Sequence, residues 1–168
     1  MLRGLVFALA LSGCVEDRGP YAPSATGPAV VDGLTLGHRL LAAGEAELAL
    51  KEYTRAAGDL GLTTPVLAAL GSANLTLGRL GQAEPLLRKA VANPDATPET
   101  WNNLGVVLME RGNAAEATEM FRRGFALSNG ENEQIRQNLT IALEKMNELA
   151  YSDNQVNTGI DGMSIEPL

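Results

Sequence analysis

A set of residues recurs every 34 positions, and this recurrence constrains the fold more than any other property of the chain. Gly37, Gly71 and Gly105 keep the spacing. In step with them run Leu36/Leu70/Leu104, Gly44/Gly78/Gly112, Ala49/Ala83/Ala117, Tyr53/Leu87/Phe121 and Ala56/Ala90/Gly124. One register shared by all of these columns, with small residues at fixed offsets, predicts helix-turn-helix units stacked into a solenoid. The fold class is all-α.

Packing accounts for the columns. Antiparallel helices approach closely only where one side chain is nearly absent, which suits Gly37, Gly71 and Gly105 on the first helix of each unit and Ala49, Ala83 and Ala117 on the second. The Leu36 and Tyr53 columns fill the space between helices. Gly44, Gly78 and Gly112 fall where each first helix must end, because glycine takes the left-handed geometry of a helix C-cap at little steric cost. Helix starts are marked by Asp32, by Thr64 before Pro65, and by Thr97 before Pro98 and Glu99, each joining a capping oxygen to a favourable first turn. Helices are predicted at roughly 33–43, 46–57, 64–77, 80–92, 98–111 and 114–127.

In the third unit Trp101, Leu104, Gly105, Leu108, Ala117, Phe121 and Gly124 follow Pro98. This run resembles the tetratricopeptide repeat (TPR), with Leu108 at the usual Tyr position and Gly124 at the last Ala. The second unit carries Leu67, Leu70, Gly71, Ala83, Leu87, Ala90 and Pro94. The first carries Leu36, Gly37, Ala49, Tyr53 and Ala56, and departs most, with Gly33 where a large residue is usual. A further helix over 131–150 places Ile135, Leu139, Ala142, Leu143, Met146 and Leu149 at helical spacing. Asn138-Leu139 echoes Asn103-Leu104, slipped by one residue, so this helix is a cap or a decayed fourth repeat. Its charged face, from Glu131 to Glu148, favours the cap. The expected architecture is a TPR-like superhelical solenoid over 30–150, with repeats at about 30–63, 64–97 and 98–130 and a capping helix at 131–150.

The N-terminus carries a second signal. Arg3, an apolar run from Leu5 to Leu11 and then Leu11-Ser12-Gly13-Cys14 resemble the signal peptide and lipobox of bacterial lipoproteins. The apolar run is far short of the roughly 20 residues that span a bilayer. The resemblance implies removal of residues 1–13 and a Cys14 carrying diacylglycerol on sulfur and an acyl chain such as palmitate on its amine. Several chains anchor far better than one, at about 0.8 kcal/mol per buried methylene. Val15 rather than Asp follows Cys14, which by resemblance to Gram-negative sorting patterns favours an outer-membrane anchor facing the periplasm. Residues 14–29, with Pro20, Pro23, Pro28 and several small residues, read as a flexible tether reaching on the order of 45 Å. Residues 151–168 read as a flexible tail, either disordered or a short segment that docks on a partner or on the solenoid.

Chemistry is sparse. The chain has one histidine and one cysteine and no cluster with metal-ligand spacing, so no catalytic residue, metal or other cofactor is expected. With a net charge of −7 and no basic stripe, nucleic acid is not an expected partner, nor is a small-molecule substrate. By resemblance to TPR proteins the concave groove is the binding site. Its offsets select Leu34, His38 and Leu41; Ala68, Ser72 and Leu75; Asn102, Asn103, Val106 and Met109; and Gln137, Asn138 and Ile141. Amides at these positions suit the backbone of an extended peptide, although Asn102 or Asn103 equally suits satisfaction of neighbouring backbone. No Lys or Arg falls at these offsets, so resemblance to adaptors that clamp a terminal carboxylate stops at the fold. In layout the chain resembles TadD-type lipoproteins of the tight-adherence (Flp) pilus system and type IV pilus pilotins, which share a lipobox, a tether and an Asn-Asn-Leu-Gly run like residues 102–105. This implies a non-enzymatic scaffold for pilus or secretion-machine assembly. The other reading is an adaptor of peptidoglycan hydrolases in the cell envelope.

Overall fold

In the computed structural model, residues 32–160 are described, with side chains as far as Tyr151. Cys14, the segment 1–13, the tether 14–29 and residues 161–168 lie outside the described residues. Seven helices run along the described chain: α1 (Gly33–Ala42), α2 (Ala46–Leu60), α3 (Thr64–Thr76), α4 (Leu80–Val91), α5 (Pro98–Glu110), α6 (Ala114–Leu127) and α7 (Glu133–Ile160). Each packs chiefly on its sequence neighbours. The odd-numbered helices also touch one another in series, α1 on α3, α3 on α5 and α5 on α7, whereas α2, α4 and α6 do not. Closer approach in one layer than in the other curves the stack and leaves α1, α3, α5 and α7 on the inside of the curve. The architecture is the TPR-like solenoid that the 34-residue register predicts.

The glycine column sets the spacing between the layers. A Cβ on Gly105 would lie 2.5 Å from Phe121 Cε1, one on Gly71 would lie 2.6 Å from Leu87 Cγ, and one on Gly37 would collide with the Tyr53 ring. Ala49, Ala83 and Ala117 are completely buried beside them. Gly33 fits the same logic. A side chain there would meet the Glu52 carbonyl oxygen at 2.7 Å, so the large residue usual at this position has no room. The turns are equally regular. At Gly44, with φ of 83°, the N–H bonds the Leu41 carbonyl, and the next N–H, of Glu45, reaches back to Leu40; Gly78 and Gly112 repeat the arrangement.

The helix starts differ in part from expectation. Asp32 caps α1, accepting from the Thr35 N–H at 2.8 Å, and Thr97 caps α5. Thr64, however, is the first residue of α3 rather than its cap; Thr63 takes that place without a side-chain bond. The Thr64 hydroxyl instead donates to Asp95 Oδ1 at 2.8 Å, tying the second unit to the loop before the third. The last helix also runs on past residue 150 to Ile160, where a flexible tail was expected. Asp153, Asn154, Thr158 and Gly159 each cost only a fraction of a kcal/mol up to about 1 kcal/mol in a helix, and no proline intervenes before Pro167. Propagation from a segment already held by packing is therefore cheap. That packing is provided by Ile135 and Ala142, both buried against α5 and α6 in the larger core cluster with Leu104, Leu108 and Phe121.

Candidate functional site

Two clefts open on the inside of the curve. The first, of about 270 Å³, lies between α1, α3 and α5. His38 and Leu41 form one wall, Ala68 and Ser72 the floor, and Asn103 the far wall, so these predicted groove residues are brought together. The second, of about 180 Å³, takes Val106 and Met109 from α5 and Asn138 and Ile141 from α7. Ile141 is 55% exposed, an unusual state for a large aliphatic side chain on an inner helix.

Other predicted positions go elsewhere. Leu34 packs against the core cluster around Tyr53 and Val66, and Leu75 against the cluster around Leu104; neither lines either cleft. Both side chains are partly buried against those clusters rather than open to the groove. Asn102 is also removed from the groove. It is buried, and its Oδ1 accepts from Asn138 Nδ2 at 2.8 Å, so its role is to join α5 to α7 rather than to read a ligand. Gln137 donates to Glu133 Oε1 at 2.8 Å and faces a shallow depression shared with Thr140 and Glu144.

Several lining residues escaped the reading by offsets. Asp95, Thr97, Glu99 and Thr100 enter the first cleft from the α4–α5 loop and the start of α5, and Tyr53 enters from the outer helix α2. A loop residue has no place in a helical repeat pattern, so Asp95 carries no periodic signal. Tyr53 does: it is the one polar member of the column it shares with Leu87 and Phe121, and Phe121 reaches the second cleft in the same way. The Tyr53 ring meets the His38 imidazole edge-on, with centroids 5.4 Å apart. Burial pushes the Tyr53 phenol up to about 12, since its charged form would be desolvated.

The lining is apolar at its base and polar at its rim, a combination that accommodates side chains while offering backbone partners. A third concavity, of about 490 Å³, lies away from the groove between the α4–α5 loop and α6, where Arg123 stands 5.2 Å over the Trp101 ring. Among the described residues no group of three or more His, Cys, Asp or Glu is placed to hold a metal ion, and no helix is long and apolar enough to cross a membrane.

Residues 98–130 match the family model described as tetratricopeptide repeat. Over 45 residues the chain is 51% identical to Tetratricopeptide repeat protein 7B of Homo sapiens and of Mus musculus. That stretch is 27% of this chain and only 5% of the relatives' length. In structure the chain is similar to the Sgt2 TPR domain from Aspergillus fumigatus, with a TM-score of 0.66, 19% identity, and coverage of 71% of this chain and 80% of that one. It is also similar to MamA, at a TM-score of 0.61 and 18% identity, covering 80% of this chain and 78% of that one. The second TPR domain of human RPAP3, in complex with the HSP70 peptide SGPTIEEVD, gives a TM-score of 0.59 at 22% identity, covering 66% of this chain and 92% of that one. At these identities the likeness is one of fold.

Proposed function

We propose that this protein is a non-enzymatic scaffold that holds extended segments of partner proteins in its concave groove. The observation that carries the reading is the pair of clefts along α1, α3, α5 and α7, each with an apolar base and hydrogen-bonding groups at its edge. An extended chain laid across them presents alternate side chains to the clefts and its backbone to Asn103 and Ser72. The HSP70 peptide bound by the RPAP3 domain is a precedent for peptide binding by this fold.

The same proposal places the solenoid at a bacterial membrane through lipid on Cys14, at the outer membrane and facing the periplasm. The support is the Leu11-Ser12-Gly13-Cys14 sequence and the Val15 that follows it. Its role there is assembly of a pilus or secretion machine of the tight-adherence type. For that role the sequence resemblance is the support; within the Asn-Asn-Leu-Gly run, Asn102, Leu104 and Gly105 serve packing, and only Asn103 faces the first cleft.

Capture of partners from detergent-solubilised envelopes tests the reading. Asn103→Ala combined with Met109→Glu changes both clefts and should abolish capture without unfolding the domain, because both side chains are only half-buried. Arg122→Glu, on the outer helix α6, should leave capture intact. The reverse result would move recognition to the other face. A secretin or pilus component among the captured proteins supports the assembly role, and a wall hydrolase in its place overturns it.

A further inference from the structure

Ion pairing is distributed unevenly between the two clefts and the rest of the solenoid. Away from the clefts most carboxylates are paired, among them Glu47 with Arg79 at 2.5 Å, Glu84 with Arg88 at 2.8 Å and Arg111 at 3.0 Å, and Glu116 with Arg88 at 2.6 Å. In the concave clefts the pattern reverses. Asp95 and Glu99 at the first cleft and Glu110 at the second have no cationic partner among the described residues, and no Lys or Arg lines either cleft. Asp95 is oriented by the Thr64 hydroxyl on its Oδ1, and its other oxygen has no hydrogen-bond partner among the described residues.

Tyr53 adds an independent observation at the same place. Its side chain is completely buried, and its hydroxyl makes no hydrogen bond. Such orphaned groups are rare in folded proteins and call for a partner. Tyr53 belongs to α2, behind the groove, and its ring crosses the gap left by Gly37 to line the first cleft. The ring is rooted on α2, so the hydroxyl is its groove-side end, shielded from solvent behind the cleft lining.

We infer that the first cleft receives a cationic side chain, Lys or Arg, of an extended partner segment, whose donors meet Asp95 and Glu99 while the lining shifts enough for a polar group of the same segment to reach the Tyr53 hydroxyl. This inference rests on the peptide-groove reading above and specifies its ligand. An acidic segment such as the SGPTIEEVD peptide of the RPAP3 complex would set glutamates against Asp95 and Glu99, an arrangement that like-charge repulsion disfavours. The chain's own residues 15–31 suit the cleft poorly as well, since Glu16 and Asp17 outnumber Arg18.

The test uses the full chain in detergent micelles, isotopically labelled so that backbone amide shifts locate the binding site. Three Gly/Ser-based peptides of equal length, differing only in Lys, Gln or Glu at the same spaced positions, serve as probes. The Lys peptide should shift the amides of Ser72 and Asn103 and bind roughly tenfold more tightly than the Gln peptide at low salt, with no binding of the Glu peptide. Asp95→Asn with Glu99→Gln should remove that advantage, while Glu119→Gln with Glu131→Gln, an equal charge change away from the clefts, should preserve it. Tyr53→Phe should weaken the Lys peptide severalfold with no fall in melting temperature. Equal binding of all three peptides at the groove, or equal loss from the two charge-neutralised variants, overturns the inference and leaves the groove reading standing. Absence of shifts at the groove with every peptide, as when the chain's own residues fill it, overturns both.

Discussion

Asn138 Nδ2 donates to Asn102 Oδ1 at 2.8 Å, joining side chains 36 positions apart on α5 and α7. The bond fastens the last helix to the third repeat at a point where Asn102 is only 7% exposed. Asn102→Ala should destabilise the domain by about 1–2 kcal/mol, the cost of leaving a shielded amide short of its partner. Thermal melts would show the loss, and peptide affinity at the first cleft should not change. A loss of affinity at unchanged stability would return Asn102 to the binding surface.

The glycine column makes a contrast within one residue type. Gly105→Ala would place a Cβ 2.5 Å from Phe121 and should cost about 1–3 kcal/mol through overpacking. Gly58→Ala, in the interior of α2 with no atom within 4 Å, should stabilise by about 0.5–1 kcal/mol. Denaturant midpoints of the two variants should move in opposite directions. Movement in the same direction would show that the register of inner on outer helices is wrong.

Tyr53 gives a pH dependence of definite sign. Its phenol is raised from 10.0 to about 12 by burial in the folded protein, so above pH 10 the unfolded chain ionises this group and the folded one does not. Stability should hold below pH 10 and fall between about 10 and 12, by on the order of 2 kcal/mol from this group. Tyr53→Phe should remove that component. Equal alkaline slopes in urea unfolding of the two proteins would show that the hydroxyl is not held in a buried environment.

Attachment through Cys14 predicts a simple partition. The parent protein should sediment with membranes, and Cys14→Ser should appear in the soluble fraction, since among the described residues no helix is long and apolar enough to span a bilayer. Unchanged sedimentation of the variant would remove the lipid anchor from the account.

The close helix approach at Gly37, Gly71 and Gly105 was legible in the sequence because a small residue recurs there every 34 positions, whereas the side chain seated over each glycine, Tyr53, Leu87 or Phe121, emerges only from the structure. The turns at Gly44, Gly78 and Gly112 were legible because a positive φ selects glycine. Less could be read of the groove. Offsets along one helix do not say what the neighbouring helices bring up to a position, so Leu34 and Leu75 lean on the core clusters instead of lining a cleft. The partner of Asn102 lies on a helix whose register slips by one residue, beyond the reach of the repeat pattern. Asp95 comes from a loop, and only its partner Thr64, freed from capping by Thr63, shows where it is held. The length of α7 has no strong signal in the sequence, because weak helix formers such as Asn154 and Gly159 lower helix propensity without blocking the backbone hydrogen bonds.

If partners lie in the concave groove, site-specific photocrosslinking in intact envelopes should trap them there. A benzophenone side chain in place of Ser72, on the floor of the first cleft, is compared with the same group in place of Arg122 on the outer face of α6. A discrete crosslinked partner is expected from position 72, lost when Asp95→Asn and Glu99→Gln are added, and none from position 122. A discrete partner from position 122 with none from position 72 would contradict binding in the groove.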